Sequence, residues 1–298
     1  MKVGVQLPEV EREVRWHELR DIAVTAERVG LDSVWVGDHL LYRDETTGSR
    51  GPWEAWSTLA ALAEATSRVE LGPLVASTSF HSPAMLAKKA ATVDEISGGR
   101  LLLGLGAGWN PAEYEAFGFP YDRRVARFAE AIEIIHALIR RGSVDFEGQF
   151  YRLNGAEIVP RARPSMKLMV GSNGPKMLRI AAPYVDMWNT WYVWYGNRPS
   201  GLEPLIHELE AACNEVGRDP AEIEKTAAVY VQLSRGAGRE AGSETRPSAE
   251  PISGSHESIA EALTAFAKAG IGHIQIVVDP IDVEAVDELG AIRRLMPT

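Results

Sequence analysis

One cysteine in 298 residues, Cys213, rules out a disulfide within the chain. It sits in the charged, helix-patterned stretch Glu208 to Glu215 with no second cysteine beside it, and it reads as an inert, partly buried thiol. No apolar run approaches the ~20 residues of a membrane span. Met1–Pro8 leads straight into a strand pattern with neither a charged leader region nor an apolar one, so the expected location is cytoplasmic. Cations are in the minority: 31 Lys and Arg against 41 Asp and Glu leave a net charge of −10, and no basic cluster exceeds a short pair. That is the wrong footprint for a nucleic-acid binder. Metal-ligand spacings are missing too. There is no H-x-x-x-H and no carboxylate pair with a histidine at ligand spacing, so no metal is expected. Neither a G-x-S-x-G nucleophile elbow nor a phosphate-binding P-loop occurs.

What is present is an ordinary globular composition, 45% hydrophobic and 24% charged, arranged as β-rich runs alternating with helix-period segments. The predicted strands are Val3–Leu7, Ser33–Gly37, Val69–Ala76, Leu101–Leu105, Lys167–Gly171, Met187–Tyr192, Thr226–Leu233 and His273–Val278. The clearest helix sets Val125, Phe128, Ala129, Ile132, Ile135, His136 and Ile139 on one face. Another repeats Val283, Val286, Leu289, Ile292 and Leu295. Gly30 and Gly270 stand where C-terminal caps belong, and Ser82-Pro83 opens a helix with proline at its first position. Eight strand–helix units imply right-handed crossovers and a parallel sheet that closes as a (β/α)8 TIM barrel, one domain over residues 1–298. A doubly wound open sheet is the competitor. It lacks its fingerprint here: Leu101–Trp109 reads G-x-G-x-G, not G-x-G-x-x-G, and lies at the fourth strand rather than the first. Two stretches break the alternation. Val144–Pro160 is predicted as a small hairpin inserted after the fourth helix, and Ser234–Gly254 as a mobile loop after the seventh strand, either a lid or a plain surface loop.

A barrel puts its chemistry at the C-terminal ends of its strands. The second strand ends in Asp38-His39, two titratable groups at the tip of an apolar run. Histidine titrates near ~6.5, which suits proton transfer at neutral pH. His39 is therefore the candidate catalytic residue, with a structural loop cap as the plainer reading. His81 also follows a strand tip, and both readings stay open for it. His136, on an apolar helix face, and His273, at a strand start, read as structural. Past the third strand, Leu74 and Val75 lead to Ser77, Thr78 and Ser79, small hydroxyl residues that leave room for a flat ligand. Past the fourth, Gly106, Ala107, Gly108 and Asn110 bring bare backbone to the pocket, followed by Glu113. Past the fifth, Gly171, Ser172, Asn173 and Gly174 precede Pro175 at a helix start, which suits an anion or is an ordinary cap. The aromatic run Trp188, Trp191, Tyr192, Trp194 and Tyr195 is either packing or the wall of an apolar substrate cavity. A polar, glycine-lined, phosphate-capable site without a redox or electrophilic group of its own points to a borrowed cofactor.

Five motifs occur in order: V-W-V-G-D-H ending at His39, Leu71–Val75 with Ser82–Lys88, I-S-G-G-R-L-L-L-G-L-G-A-G-W over Ile96–Trp109, E-Y-E-A-F-G over Glu113–Gly118, and Gly171–Pro175. Together they resemble the bacterial-luciferase-like superfamily of barrels, which bind FMN or the deazaflavin coenzyme F420. The similarity runs over about residues 3–195 and 252–280. The V-W-V-G-D-H form looks like the F420-dependent oxidoreductase branch. The resemblance implies hydride transfer between F420 and an organic substrate. It implies that Asp38 hydrogen-bonds the flavin-like ring and that His39 gives or takes a proton near its reactive centre. It also implies a non-prolyl cis peptide at Leu74–Val75 behind the ring, with Ser77 beside it. Gly106–Asn110 and Gly171–Gly174 would hold the ribityl and phosphate portion. Trp53, Trp109, Trp191 and Trp194 are expected on the substrate side. The branch's sugar-phosphate dehydrogenases carry an acidic glutamate after the Gly-x-Gly; Trp109 stands there in this chain, which implies a larger, fairly apolar substrate. The expected partner is a small molecule rather than nucleic acid or a membrane, and a homodimer fits the family, although the sequence marks no interface. Three alternatives stand beside this. One is an FMN-dependent luciferase-like monooxygenase using reduced flavin and oxygen. The second is a non-catalytic flavin-binding protein. The third, a cofactor-free isomerase or lyase of phosphorylated sugars, needs a paired Lys or Glu base at a strand tip, and none stands out.

Overall fold

Short runs made mostly of apolar or small residues, nearly all buried, form the barrel strands, as expected of parallel strands covered by helices. A computed structural model of the chain describes residues 1–44, 48–238 and 249–297. Its strands are β1 (Lys2–Gln6), β2 (Ser33–Val36), β3 (Glu70–Pro73, resuming at Ala76–Ser77), β4 (Leu102–Gly106), β5 (Lys167–Gly171), β6 (Met187–Thr190), β7 (Glu224–Gln232) and β8 (His273–Asp279). All neighbours pair in parallel, in the order β3–β2–β1–β8–β7–β6–β5–β4–β3. The first half of β3 pairs with β2 (Val36 beside Pro73) and the second half with β4 (Ala76 beside Leu105). A bridge between Leu71 and Leu101 completes the ring. The predicted (β/α)8 barrel is what forms.

The helices are α1 (Trp16–Arg28), α2 (Ala55–Ala65), α3 (Pro83–Ile96), α4 (Pro111–Phe117), α5 (Arg124–Arg141), α6 (Pro175–Ala181), α7 (Glu203–Glu215), α8 (His256–Lys268) and α9 (Val283–Leu295). Side-chain oxygens cap several of them: Glu54 accepts from the Trp56 and Ser57 amides, and Asp282 from Ala285 at 2.7 Å. Gly30, past the end of α1, has φ +90°, which a side chain would disfavour. No helix among the described residues is long and apolar enough to cross a membrane.

The predicted hairpin is Ser143–Glu147 paired with Arg152–Glu157, directly after α5. Three features were not legible. The fourth crossover holds two helices, α4 and α5. A second, short hairpin, Tyr42–Asp44 with Gly48–Arg50, follows β2. And β3 is interrupted at Leu74–Val75, whose peptide bond is cis, as the resemblance implied. Of the expected loop after β7, residues 239–248 lie outside the described ones; on its far side Ile252 bridges to Val231.

Two layers fill the barrel below the site. Near its base Ser33 Oγ lies 2.7 Å from His273 Nε2 and accepts the Trp35 indole N–H at 2.7 Å. Nearby, Asn189 donates to Thr226 at 2.9 Å and to Gln275 at 2.7 Å. Trp35, Leu102, Met169 and Met187 form an apolar cluster against which Leu74 and Val75 pack. His273 is thus structural, and so is His136, half-buried with its ring centroid 5.2 Å from that of Tyr184. Cys213 is buried, and burial pushes its thiol up.

Candidate active site

β2 delivers Gly37, Asp38 and His39 to the C-terminal rim. A side chain at Gly37 would collide with the Glu9 carboxylate, which comes in from the loop after β1. His39 Nδ1 lies 3.0 and 3.1 Å from the two carboxylate oxygens of Glu113, on α4. Glu113 is fully buried and also accepts the Leu40 N–H at 2.6 Å. On the other side, His39 Nε2 is 3.6 Å from Glu9 Oε1. Glu9 is held in turn by the Tyr42 hydroxyl at 3.0 Å and the Gln6 amide at 2.5 Å. The imidazole, Tyr42 and Trp109 rings form a triangle, with the imidazole centroid 4.8 Å from that of Tyr42 and 5.5 Å from that of Trp109, and those two 6.3 Å apart. Burial pulls its pKa down, but Glu9, Glu113 and Asp38 outweigh that, and the net shift is upward. With Nδ1–H directed at Glu113, Nε2 is the nitrogen left to exchange a proton with a ligand.

Asp38 is buried and already doubly engaged: its Oδ2 lies 2.9 Å from His81 Nε2 and accepts the Ser77 N–H at 2.9 Å. It ties the tip of β2 to the second half of β3. Past the cis bond, the Val75 side chain occupies the space three glycines leave open. A Cβ on Gly106 would lie 2.8 Å from Val75 Cγ2, and one on Gly171 2.8 Å or on Gly104 2.9 Å from Cγ1. The bare backbone of β4 and β5 therefore seats Val75 as well as opening room above it.

The other expected residues lie in the segments that follow β2, β3, β4, β5 and β6. Hydroxyls tie down the Gly106–Ala107 backbone: Thr78 donates to the Gly106 carbonyl at 3.1 Å, and Ser79 and Tyr114 donate to Ala107 at 3.2 and 2.8 Å. Arg124 donates to the Gly108 carbonyl at 2.7 Å. Asn110 caps α4, accepting from Ala112 at 3.2 Å, and donates to the Leu41 carbonyl at 3.1 Å. After β5, the Ser172 carbonyl accepts the Trp188 indole at 2.8 Å, and Asn173 Oδ1 is buried without a partner. Trp53 and Trp194 are exposed, whereas Trp191 is half-buried with its ring centroid 5.0 Å from that of Tyr192. Trp188, Tyr192 and Tyr195 are buried packing. Sequence reading missed Glu9, Tyr42 and the pairing of Glu113 with His39. Glu9 was findable: the strand-tip filter that selected Asp38-His39, applied to β1, yields Gln6 and Glu9.

The sequence matches the model of the luciferase-like monooxygenase family over residues 1–241. The chain belongs to that family. Among curated relatives it is 30% identical over 243 residues to a 5,10-methylenetetrahydromethanopterin reductase of Archaeoglobus fulgidus, covering 81% of this chain and 68% of that one. It is 35% identical over 211 residues to an F420-dependent glucose-6-phosphate dehydrogenase of Amycolatopsis mediterranei, covering 69% of this chain and 60% of that one. The chain thus spans about two thirds of their length or a little less. Among solved structures, an F420-dependent secondary alcohol dehydrogenase in complex with an F420–acetone adduct superposes over 100% of this chain and 99% of that one, with a TM-score of 0.82 at 21% identity, a likeness of fold.

Proposed function

We propose that the protein is an F420-dependent oxidoreductase that transfers a hydride between the deazaflavin and an organic, fairly apolar substrate, with His39 moving the accompanying proton. The observation behind this is the placement of His39 at the end of β2 with Nδ1 3.0 Å from buried Glu113, which leaves Nε2, 3.6 Å from Glu9, as the nitrogen for proton exchange. The chain's residues fit a flavin-like ligand. Val75, seated over Gly104, Gly106 and Gly171, offers an apolar backing for a ring. Asn173 Oδ1, buried and unpartnered, offers an acceptor beyond it. In this reading Asp38, Leu74, Val75 and Ser77 hold the ring. Gly106, Ala107, Gly108, Asn110, Gly171, Ser172, Asn173 and Gly174 hold the chain that follows it. Trp53, Trp109, Trp191 and Trp194 face the substrate.

When bound, F420 supplies a two-electron centre that accepts or donates a hydride. In alcohol oxidation His39 Nε2 takes the hydroxyl proton, and in carbonyl reduction it returns one. Glu113 fixes the tautomer that leaves Nε2 free and stabilises the imidazolium once it forms. The upward shift from Glu9, Glu113 and Asp38 favours the protonated imidazole and with it the acid role. Trp109 places an indole ring beside the imidazole, an apolar neighbour better suited to a hydrocarbon group than to a sugar phosphate.

The family's monooxygenase name supports a second reading, reduced FMN with oxygen. Titration of the purified protein with F420 and with FMN, followed by absorbance, separates the two. Tight F420 binding without FMN binding is the expected result, and oxygen-dependent turnover with reduced FMN overturns it. Turnover unchanged in His39→Ala overturns the assignment of His39 and favours a flavin-binding protein without this chemistry. A homodimer in the cytoplasm completes the proposal; light scattering in solution checks the assembly.

A further inference from the structure

Oxidation of an alcohol leaves a proton on His39 that must reach water before the next turnover, and a substrate seated at Nε2 covers the imidazole from the rim. The Nδ1 side offers no way out, because Glu113 behind it has no exposure to water. Glu9 is placed differently. Its Oε1 is 3.6 Å from His39 Nε2, within reach of proton transfer after a small approach or through one water. The same carboxylate lines a cavity of about 310 Å³ between the loop after β1, the turn after β2 and the start of α2. Asp38, His39 and Glu113 do not line it, so Glu9 is the partition between cavity and imidazole. Arg12, Glu13 and Arg50 also line the cavity, and Glu13 and Trp53 are exposed. A charged wall of this kind favours water over hydrocarbon, and the volume is far above the ~15 Å³ that one water needs.

We propose that Glu9 is a proton relay between His39 and water in this cavity, so that the proton leaves behind the bound ligands. The inference rests on the reading of His39 as the proton-transfer group. In alcohol oxidation the substrate O–H bond breaks and an Nε2–H bond forms, while the hydride carries both electrons of the C–H bond to the deazaflavin. The Nε2–H bond then breaks as Glu9 Oε1 gains the proton. Oε1 gives it to a cavity water, which restores the carboxylate and the neutral imidazole. Carbonyl reduction uses the same route inward. Two neutral donors hold Glu9 in place for this, the Tyr42 hydroxyl on Oε1 at 3.0 Å and the Gln6 amide on Oε2 at 2.5 Å. Its own backbone N–H donates to Glu11 at 2.9 Å. Arg12 is committed elsewhere, to Glu18 and to the Ile281 carbonyl at 2.9 Å.

The test follows the His39 Nε2 proton itself in cofactor-free protein carrying isotope-labelled histidine. NMR saturation transfer measures its exchange with water, at a pH below the His39 midpoint of each variant. Glu9→Gln keeps an oxygen for the Tyr42 hydroxyl, and its NH₂ meets Gln6, whose buried, unpartnered Oε1 turns to accept it. Exchange should slow by about 10²-fold. The direction is decisive. Burial lowers the pKa of His39 and Glu9 is the strongest influence raising it, so losing a mere neighbouring charge loosens the proton and speeds its exchange. Val14→Phe, which fills the cavity and leaves Glu9 in place, should slow exchange too; Thr58→Phe does the same from α2 if Val14→Phe does not fold. Exchange unchanged or faster in Glu9→Gln overturns the relay, and unchanged exchange with the cavity filled overturns the route. In F420-loaded protein oxidising 2-octanol, the kcat of Glu9→Gln should fall by a similar factor and recover with rising imidazole buffer, with KM little changed. A wild-type kcat at every buffer concentration overturns the relay in turnover. If the protein does not bind F420, the hydride chemistry falls while the exchange measurement still decides the role of Glu9.

Discussion

Glu113→Gln is the sharpest perturbation this site allows. The carboxylate has no exposure to water and is surrounded by donors: His39 Nδ1 at 3.0 Å, Leu40 N–H at 2.6 Å and Leu41 N–H at 3.4 Å. Both backbone amides point at Oε1, so a glutamine keeps its carbonyl oxygen there and turns its NH₂ towards Nδ1. The imidazole must then accept at Nδ1, which puts its proton on Nε2, the nitrogen meant to act as base. Stability suffers modestly, by about 1 kcal/mol, because a charge-assisted hydrogen bond becomes a neutral one. Catalysis suffers far more, since a positioned general acid–base is worth about 10²–10⁴ in rate.

The assay is the pH dependence of kcat/KM. In the wild type, alcohol oxidation should rise with pH through a limb above the ordinary histidine range, because deprotonated His39 is the base and its pKa is raised. Ketone reduction should fall through the same limb. In Glu113→Gln the limb moves down, since one of the carboxylates holding the proton is gone, and the plateau drops by about 10²–10⁴. Glu113→Ala is the contrast: it strands three donors at about 1–3 kcal/mol each and should cost several kcal/mol in urea unfolding. A Glu113→Gln enzyme with the wild-type plateau and an unmoved limb would refute the pairing of Glu113 with a proton-carrying His39.

Two further perturbations test the framework around the site. Gly171→Ala puts a Cβ 2.8 Å from Val75 Cγ1 and should cost about 1–3 kcal/mol while weakening F420 binding. Adding Val75→Ala removes the clash, so the double variant should lose less than the sum, and strict additivity would show that Val75 is not seated on Gly171. His273 is pushed down to about 3 by burial, reinforced by Lys2, Lys167 and the N-terminal amine. The unfolded chain protonates this histidine near 6.5, so stability drops as pH falls below that value, by about 2 kcal/mol at pH 5. His273→Gln should flatten the urea midpoint between pH 7.5 and 5, and an unchanged slope assigns the acid sensitivity elsewhere.

How far the sequence could be read depended on whether a feature was local. The eight strands show as buried apolar runs, and Gly30 and Gly270, at φ +90° and +86°, mark helix ends by the one residue suited to them. The Tyr42–Asp44 and Gly48–Arg50 hairpin did not show, because three-residue strands with exposed positions have no alternation to detect. The break in β3 was hidden inside the apolar run Leu71–Ala76 and came only through family resemblance. Asp38-His39 was legible because two titratable groups end an apolar strand. Their partners were not: Glu113 is 74 residues from His39, and pairing over such a distance is decided by the closed barrel. Gly106 and Gly171 show the same limit. Sequence offers bare backbone as room for a ligand, and only the fold reveals Val75 filling the first layer of that room.

Three buried carboxylates around one imidazole would be costly if they served only to charge it. Their other bonds show a second task. Asp38 joins β2 to β3 through Ser77 and His81. Glu113 joins α4 to the turn at Leu40. Glu9 joins the loop after β1 to the hairpin at Tyr42. Each carboxylate thus fastens a different pair of segments, and His39 touches two of the three directly. The position of Nε2 is therefore fixed by the barrel's first four strand ends together, the kind of support a proton-transfer group needs when an error of about 1 Å costs about 10²-fold in rate. The same bonds make the imidazole's charge and its placement inseparable: a substitution that lowers the pKa of His39 by removing Glu9 or Glu113 also releases one of the loops that aim it.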